Sequence, residues 1–133
     1  MRRRSRHPRG FTLIELVIVI SMILVLLSIA LPMYNKAILR SKEARLHQNL
    51  VTLNQAIEHY SLDKHKAPQA LGDLVPDYIR FIPDDITSKP DTWQTEQEDL
   101  QDCYDPNQCG IRAVHSGSSE ISSEGTEYSS WTH

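Results

Sequence analysis

From Phe11 to Leu31 the chain is apolar on nearly every position, with Glu15 the one charge in 21 residues. A helix apolar all round has to be covered all round, by lipid or by other helices. At 1.5 Å per residue such a run matches the roughly 30 Å of hydrocarbon in a bilayer. Beyond Pro32 the pattern changes. Leu46, Leu50, Leu53, Ile57 and Tyr60 recur at alternating steps of four and three, the single stripe of an amphipathic helix. Glycine and proline are absent from Met33 to Ala67, so one helix is expected from Phe11 to about Lys64. Pro32 lacks an N–H and is the candidate kink, which a membrane helix tolerates. The one-faced half needs a small domain against its stripe.

That domain begins after Ala67-Pro68. Ala70 to Leu74 predicts a short helical turn closed by Pro76, and Tyr78 to Pro83 a connector with apolar anchors. Strands are expected over Thr92–Thr95 and Gly110–His115, separated by an acidic, turn-rich insert from Glu96 to Asn107. The stretch Ser116 to Ser130 has the composition of a disordered tail. Tyr128 and Trp131 close it, however, and predict a last short strand docked on the domain. The fold class is therefore α+β: a long N-terminal helix, first transmembrane and then amphipathic, packed on a small sheet of two to four antiparallel strands.

Charge sets the expected orientation. Arg2, Arg3, Arg4, Arg6 and Arg9 precede the apolar run with no acid among them, whereas from Leu46 onward 15 acidic side chains face five basic ones, a formal charge of −10. Lys and Arg flanking a span stay cytoplasmic, so the C-terminal part is expected to face outward, where an exported domain meets oxidising conditions. An acidic exterior also argues against nucleic acid as a partner. In that oxidising setting Cys103 and Cys109, with five residues between them, read as a disulfide staple; two independent thiols, one buried, are the alternative. The four cations Lys36, Arg40, Lys42 and Arg45 form a basic patch for headgroups, acidic neighbours or plain solvent.

The stretch Arg9-Gly10-Phe11-Thr12-Leu13-Ile14-Glu15-Leu16, leading into the apolar run, resembles the leader junction of type IV prepilins and pseudopilins. The resemblance implies a pilin-like fold and four segments: a leader over 1–10, a polymerisation helix over 11–32, its amphipathic continuation over 33–66, and a small periplasmic domain over 67–133. It implies cleavage between Gly10 and Phe11 by the prepilin peptidase and N-methylation of Phe11. It also implies pairing of Glu15 with the new amine of a neighbouring subunit. An isolated carboxylate at membrane depth costs on the order of 2–3 kcal/mol, so such a residue has a task.

The connector from Tyr78 to Pro83 is similar to that of the major, G-type pseudopilins. On that likeness the expected function is a type II secretion pseudopilin, with itself as a helical homopolymer, minor pseudopilins, an inner-membrane platform protein and a secretin as partners. The alternative is a type IV pilin of a surface fibre for adhesion, motility or DNA uptake. Two other readings stay open, a binding domain secreted after Ala30 and a sensor anchored by an uncut helix. The G-type likeness points to a possible calcium loop at Ser116, Ser118, Glu120 and Glu124, although Ser and Glu replace the family's Asp cluster; otherwise no cofactor is expected. His47, His59, His65 and His115 are isolated. His115 beside Ser116 and Ser118 lacks a nucleophile elbow or a paired acid site, so no enzyme is expected.

Overall fold

The computed structural model describes residues 10–87, 89 and 91–132. Of the leader expected over 1–10, residues 1–9 lie outside the described residues. The chain divides into two compact units, Met1–Ile38 and Leu39–His133. Helix α1 spans Leu13–Lys64.

In the first unit α1 is apolar and exposed on every side, from Phe11 through Met33. It is the one described helix long and apolar enough to cross a membrane. It starts two residues later than the apolar run, because Thr12 serves as its N-cap: the Glu15 N–H donates to Thr12 Oγ1 at 3.3 Å, and the Leu16 N–H to the Thr12 carbonyl. Helical structure continues through Pro32. Inside the run Ser21 and Ser28 donate their hydroxyls to the carbonyls of Val17 and Val25, so neither presents an unmet donor to an apolar surrounding.

In the second unit the predicted stripe is the core. Leu46, Leu50, Leu53 and Ile57 are buried with Ala56, and Tyr60 packs at the edge. The helix stops at Lys64 because His65 turns to φ 53°, the left-handed geometry of a helix C-terminus, without the glycine that usually adopts it. A 3₁₀ turn, Leu71–Leu74, then brings Leu74 into the core, with Asp73 accepting hydrogen bonds from the Gln69 and Ala70 N–H groups.

Strands β1 (Gln94–Gln97) and β2 (Ile111–His115) form a two-stranded antiparallel sheet. Strand β1 begins two residues later than the Thr92 start expected. Trp93 is buried ahead of it, its indole N–H donating to the Pro83 carbonyl at 2.8 Å. The register pairs Glu96 with Ala113 but Gln97 with Ile111, so Arg112 is a bulge residue. Side chains three apart on a regular strand face opposite ways. The bulge lets Ile111 and Val114 both reach the core while Arg112 stays out.

Among the described residues no last strand forms at the C-terminal end. Its aromatic residues dock as expected, but through a 3₁₀ turn, Tyr128–Ser130, with a single bridge between Ile121 and Glu127. The free edge of β2 is met instead by a side chain of α1. Asn54 accepts from the Val114 N–H at 2.9 Å and donates to the Val114 carbonyl at 3.3 Å, and also to the Thr132 carbonyl at 3.0 Å. One amide thus does the work of a neighbouring strand.

Candidate processing and assembly site

Gly10 is exposed, and a Cβ built there meets nothing within 4 Å. No crowding among the described residues demands glycine at this position. Phe11 follows, 85% exposed. Glu15 sits in the first turn of α1, where a carboxylate is favoured by the helix dipole. Thr12 and Glu15 have the spacing of a capping box, and one half of that box is made, by Thr12. The Glu15 carboxylate makes no hydrogen bond or ion pair among the described residues. The sequence reading gave Glu15 an intermolecular task and overlooked this local one, although Thr-x-x-Glu ahead of an apolar run is its signature. The arrangement therefore presents a glycine in open space, an aromatic residue after it, and an acid one turn into an uncovered apolar helix.

In the second unit two buried carboxylates organise the segment that follows β2. Glu43 lies one turn before Leu46 on the buried stripe. Its carboxylate accepts the Ser123 N–H at 2.6 Å, the Ser123 hydroxyl, and the Tyr128 hydroxyl at 2.9 Å. Burial opposes ionisation of Glu43, but the Ser123 and Tyr128 donors and the Arg40 charge outweigh it and hold the carboxyl below its ordinary value. Burial and the Glu43 carboxylate together push the Tyr128 phenol up to about 12. Trp131 packs edge-on to Tyr128 at 5.3 Å and to His47 at 6.4 Å.

Asp85, 4% exposed, is the second anchor. It accepts from the Ile86 N–H, the Thr92 hydroxyl, the Ser116 hydroxyl at 2.7 Å and the Gly117 N–H at 3.2 Å. Gly117 is needed for this closeness, since a Cβ there would fall on the Thr92 carbonyl oxygen. Sequence reasoning missed both acids. Glu43 was legible as the next position of the stripe toward the N-terminus; Asp85, in an irregular connector, carried no periodic signal.

The remaining candidates fall as follows. Cys103 and Cys109 are disulfide-bonded with Cα atoms 5.3 Å apart, away from the core cluster. The calcium candidates do not converge. Ser116 gives its hydroxyl to Asp85 and accepts the Ser118 N–H, Ser118 accepts the Glu120 N–H, and Glu120 and Glu124 are exposed. Among the described residues no three His, Cys, Asp or Glu side chains are placed to hold a metal ion. This donor set does not fit calcium, which takes six to eight converging oxygens. Ser116 bonds Asp85 rather than His115.

A two-stranded α+β domain on the second half of a helix whose first half is bare and apolar defines a pilin-like protein. Residues 5–31 match the family model of the prokaryotic N-terminal methylation motif. A type IV major fimbrial protein, FimA, of Dichelobacter nodosus is 43% identical over 61 residues, 46% of this chain and 38% of that protein. A second FimA from the same organism is 42% identical over 59 residues, covering 44% and 38%. The match thus spans under two fifths of the length of these curated relatives. No solved structure matches the chain. Over its N-terminal part the chain is similar to type IV pilins, and its fold is pilin-like. These relatives carry fimbrial names, and nothing in them singles out the G-type secretion subunit.

Proposed function

We propose that this chain is a structural subunit of a type IV pilin fibre, held in the membrane by its N-terminal helix until it enters a helical homopolymer. The observation that carries this reading is the bare apolar helix from Phe11 onward, headed by Glu15 and preceded by the exposed Gly10, within the matched methylation motif. A prepilin peptidase cuts after Gly10, the arginine-rich leader is lost, and the Phe11 amine is methylated. The Glu15 carboxylate of one subunit then meets the amine of the next, so that two charges costly in an apolar core compensate each other. Other copies of the helix cover the rest of its surface. The domain faces the periplasm before assembly and the fibre surface after it. The role is structural rather than enzymatic.

The fimbrial relatives favour a surface fibre over a secretion pseudopilus. The connector from Tyr78 to Pro83 remains the one feature that favours secretion, with a secretin and minor pseudopilins as partners.

Glu15→Gln tests the reading against the local one, because glutamine serves a capping box as glutamate does but carries no charge. Both Glu15→Gln and Glu15→Ala should be cleaved normally and fail to assemble. Normal fibre yield from Glu15→Gln with loss in Glu15→Ala would reduce Glu15 to a helix cap and remove the charge pairing.

A further inference from the structure

Resting on the filament reading, we infer that the disulfide loop of one copy docks on the basic stretch of α1 in another. The loop, residues 98–109, is the most conspicuous surface of the domain that its own fold leaves unused. Leu100 is 86% exposed and Tyr104 53%. Asp99 and Asp102 are exposed beside them. Among the described residues only Asp99 meets a cation, Arg112 at 3.8 Å, with both side chains largely in solvent. The Cys103–Cys109 bond holds no part of the core. It closes a short ring, residues 103–109, that carries Tyr104 and directly follows Asp102, and a closed ring loses less freedom on docking.

The complementary surface lies on α1. Lys42 and Arg45, one turn apart on α1, are exposed, and neither forms an ion pair among the described residues. Asp84 stands beside Lys42 and Arg45 at a small cleft without pairing to either. Leu39, 38% exposed, lies one turn before Lys42. Two cations beside a leucine face two exposed acids beside a leucine and a tyrosine, so charge and apolar area match together.

Position makes the contact intermolecular. Tyr104 lines a groove with Ile57, Glu58 and Ser61 of α1. The loop therefore sits about 16 residues farther along the helix than Lys42, roughly 24 Å at 1.5 Å per residue. It cannot reach the basic stretch of its own chain. Two different patches displaced along one axis make a heterologous contact, which repeats into an open polymer rather than closing a dimer. Single exposed pairs contribute only about 0.2–1 kcal/mol, so the charges set register and partner while Leu100 and the helical cores supply most of the adhesion.

The test is a charge swap in the full-length chain, expressed with its assembly machinery, reading sheared-fibre yield and the mature N-terminus. The collar variant is Lys42→Glu with Arg45→Glu; the loop variant is Asp99→Lys with Asp102→Lys. Each should be processed normally and lower fibre yield by about tenfold, and the fourfold combination should restore most of it. A combination no better than either double variant overturns the docking, as does wild-type yield from the loop variant. Loss in the collar variant alone would assign the cations to another partner, such as an anionic lipid headgroup, and likewise overturns it. In each of these outcomes a parent chain that still forms fibres leaves the filament reading standing. A parent chain that forms none overturns both.

Discussion

Replacing Glu43 with alanine removes the acceptor at which helix α1 holds the C-terminal segment. The Tyr128 hydroxyl, in a residue 2% exposed, loses its partner, and a buried orphan donor costs about 1–3 kcal/mol. The Ser123 N–H loses a charge-assisted bond, while its hydroxyl, on an exposed residue, turns to water. Relief from burying a carboxylate offsets part of this, leaving a net loss of about 2–4 kcal/mol. Tyr128→Phe keeps both Ser123 donors and should cost about 1 kcal/mol. Urea unfolding of the detergent-solubilised full-length chain measures both, followed by tryptophan fluorescence, since Trp131 packs on Tyr128 and Trp93 is buried. The same titration predicts a pH dependence at each end. Glu43 is held below its ordinary 4.5, so its contribution is complete above that pH and is lost as pH falls below it. Tyr128 is raised from 10 to about 12, so its contribution is complete below pH 10 and lost as pH climbs through that interval. A Glu43→Ala midpoint within about 0.5 kcal/mol of the parent would refute the anchoring role.

Asn54→Leu should cost about 2 kcal/mol and speed amide exchange at Val114, whose N–H and C=O both lose their partner on α1; unchanged exchange would refute the pseudo-strand. Changing Cys103 and Cys109 to serine should cost no more than about 2 kcal/mol, because the ring is short and outside the core. A collapse of the whole domain in that variant would contradict it.

Much of this architecture was legible in the period of the sequence. The run from Phe11 to Leu31 and the stripe from Leu46 to Tyr60 predicted both halves of α1 and the core that the second half carries. The failures share one cause, side chains that replace backbone. Asn54 stands in for a strand, so the tail needed no strand of its own, and an amide inside a helix gives no sign of that use. Glu43 and Asp85 are charges where apolar residues or loops were expected; the Ser123 donor to Glu43 lies 80 positions away, and two donors to Asp85, Ser116 and Gly117, lie 31 and 32 away. Strand β2 stands where its composition predicted, and its departure from alternation at Ile111 and Val114 comes from the bulge at Arg112. At the N-terminus the motif was plain, and the assembly role proposed for Glu15 drew attention from the cap that Thr12 makes with the backbone of the same residue.

The central claim is that the chain enters its polymer as a subunit whose first residue is Phe11. Intact-mass and N-terminal fragment spectra of protein recovered from sheared fibres measure this directly. The account predicts one species that begins at Phe11, with a methyl group on the Phe11 amine and a mass reduced by the two hydrogens of the Cys103–Cys109 disulfide. A subunit that retains its arginines, or one that begins at Leu31, would contradict it.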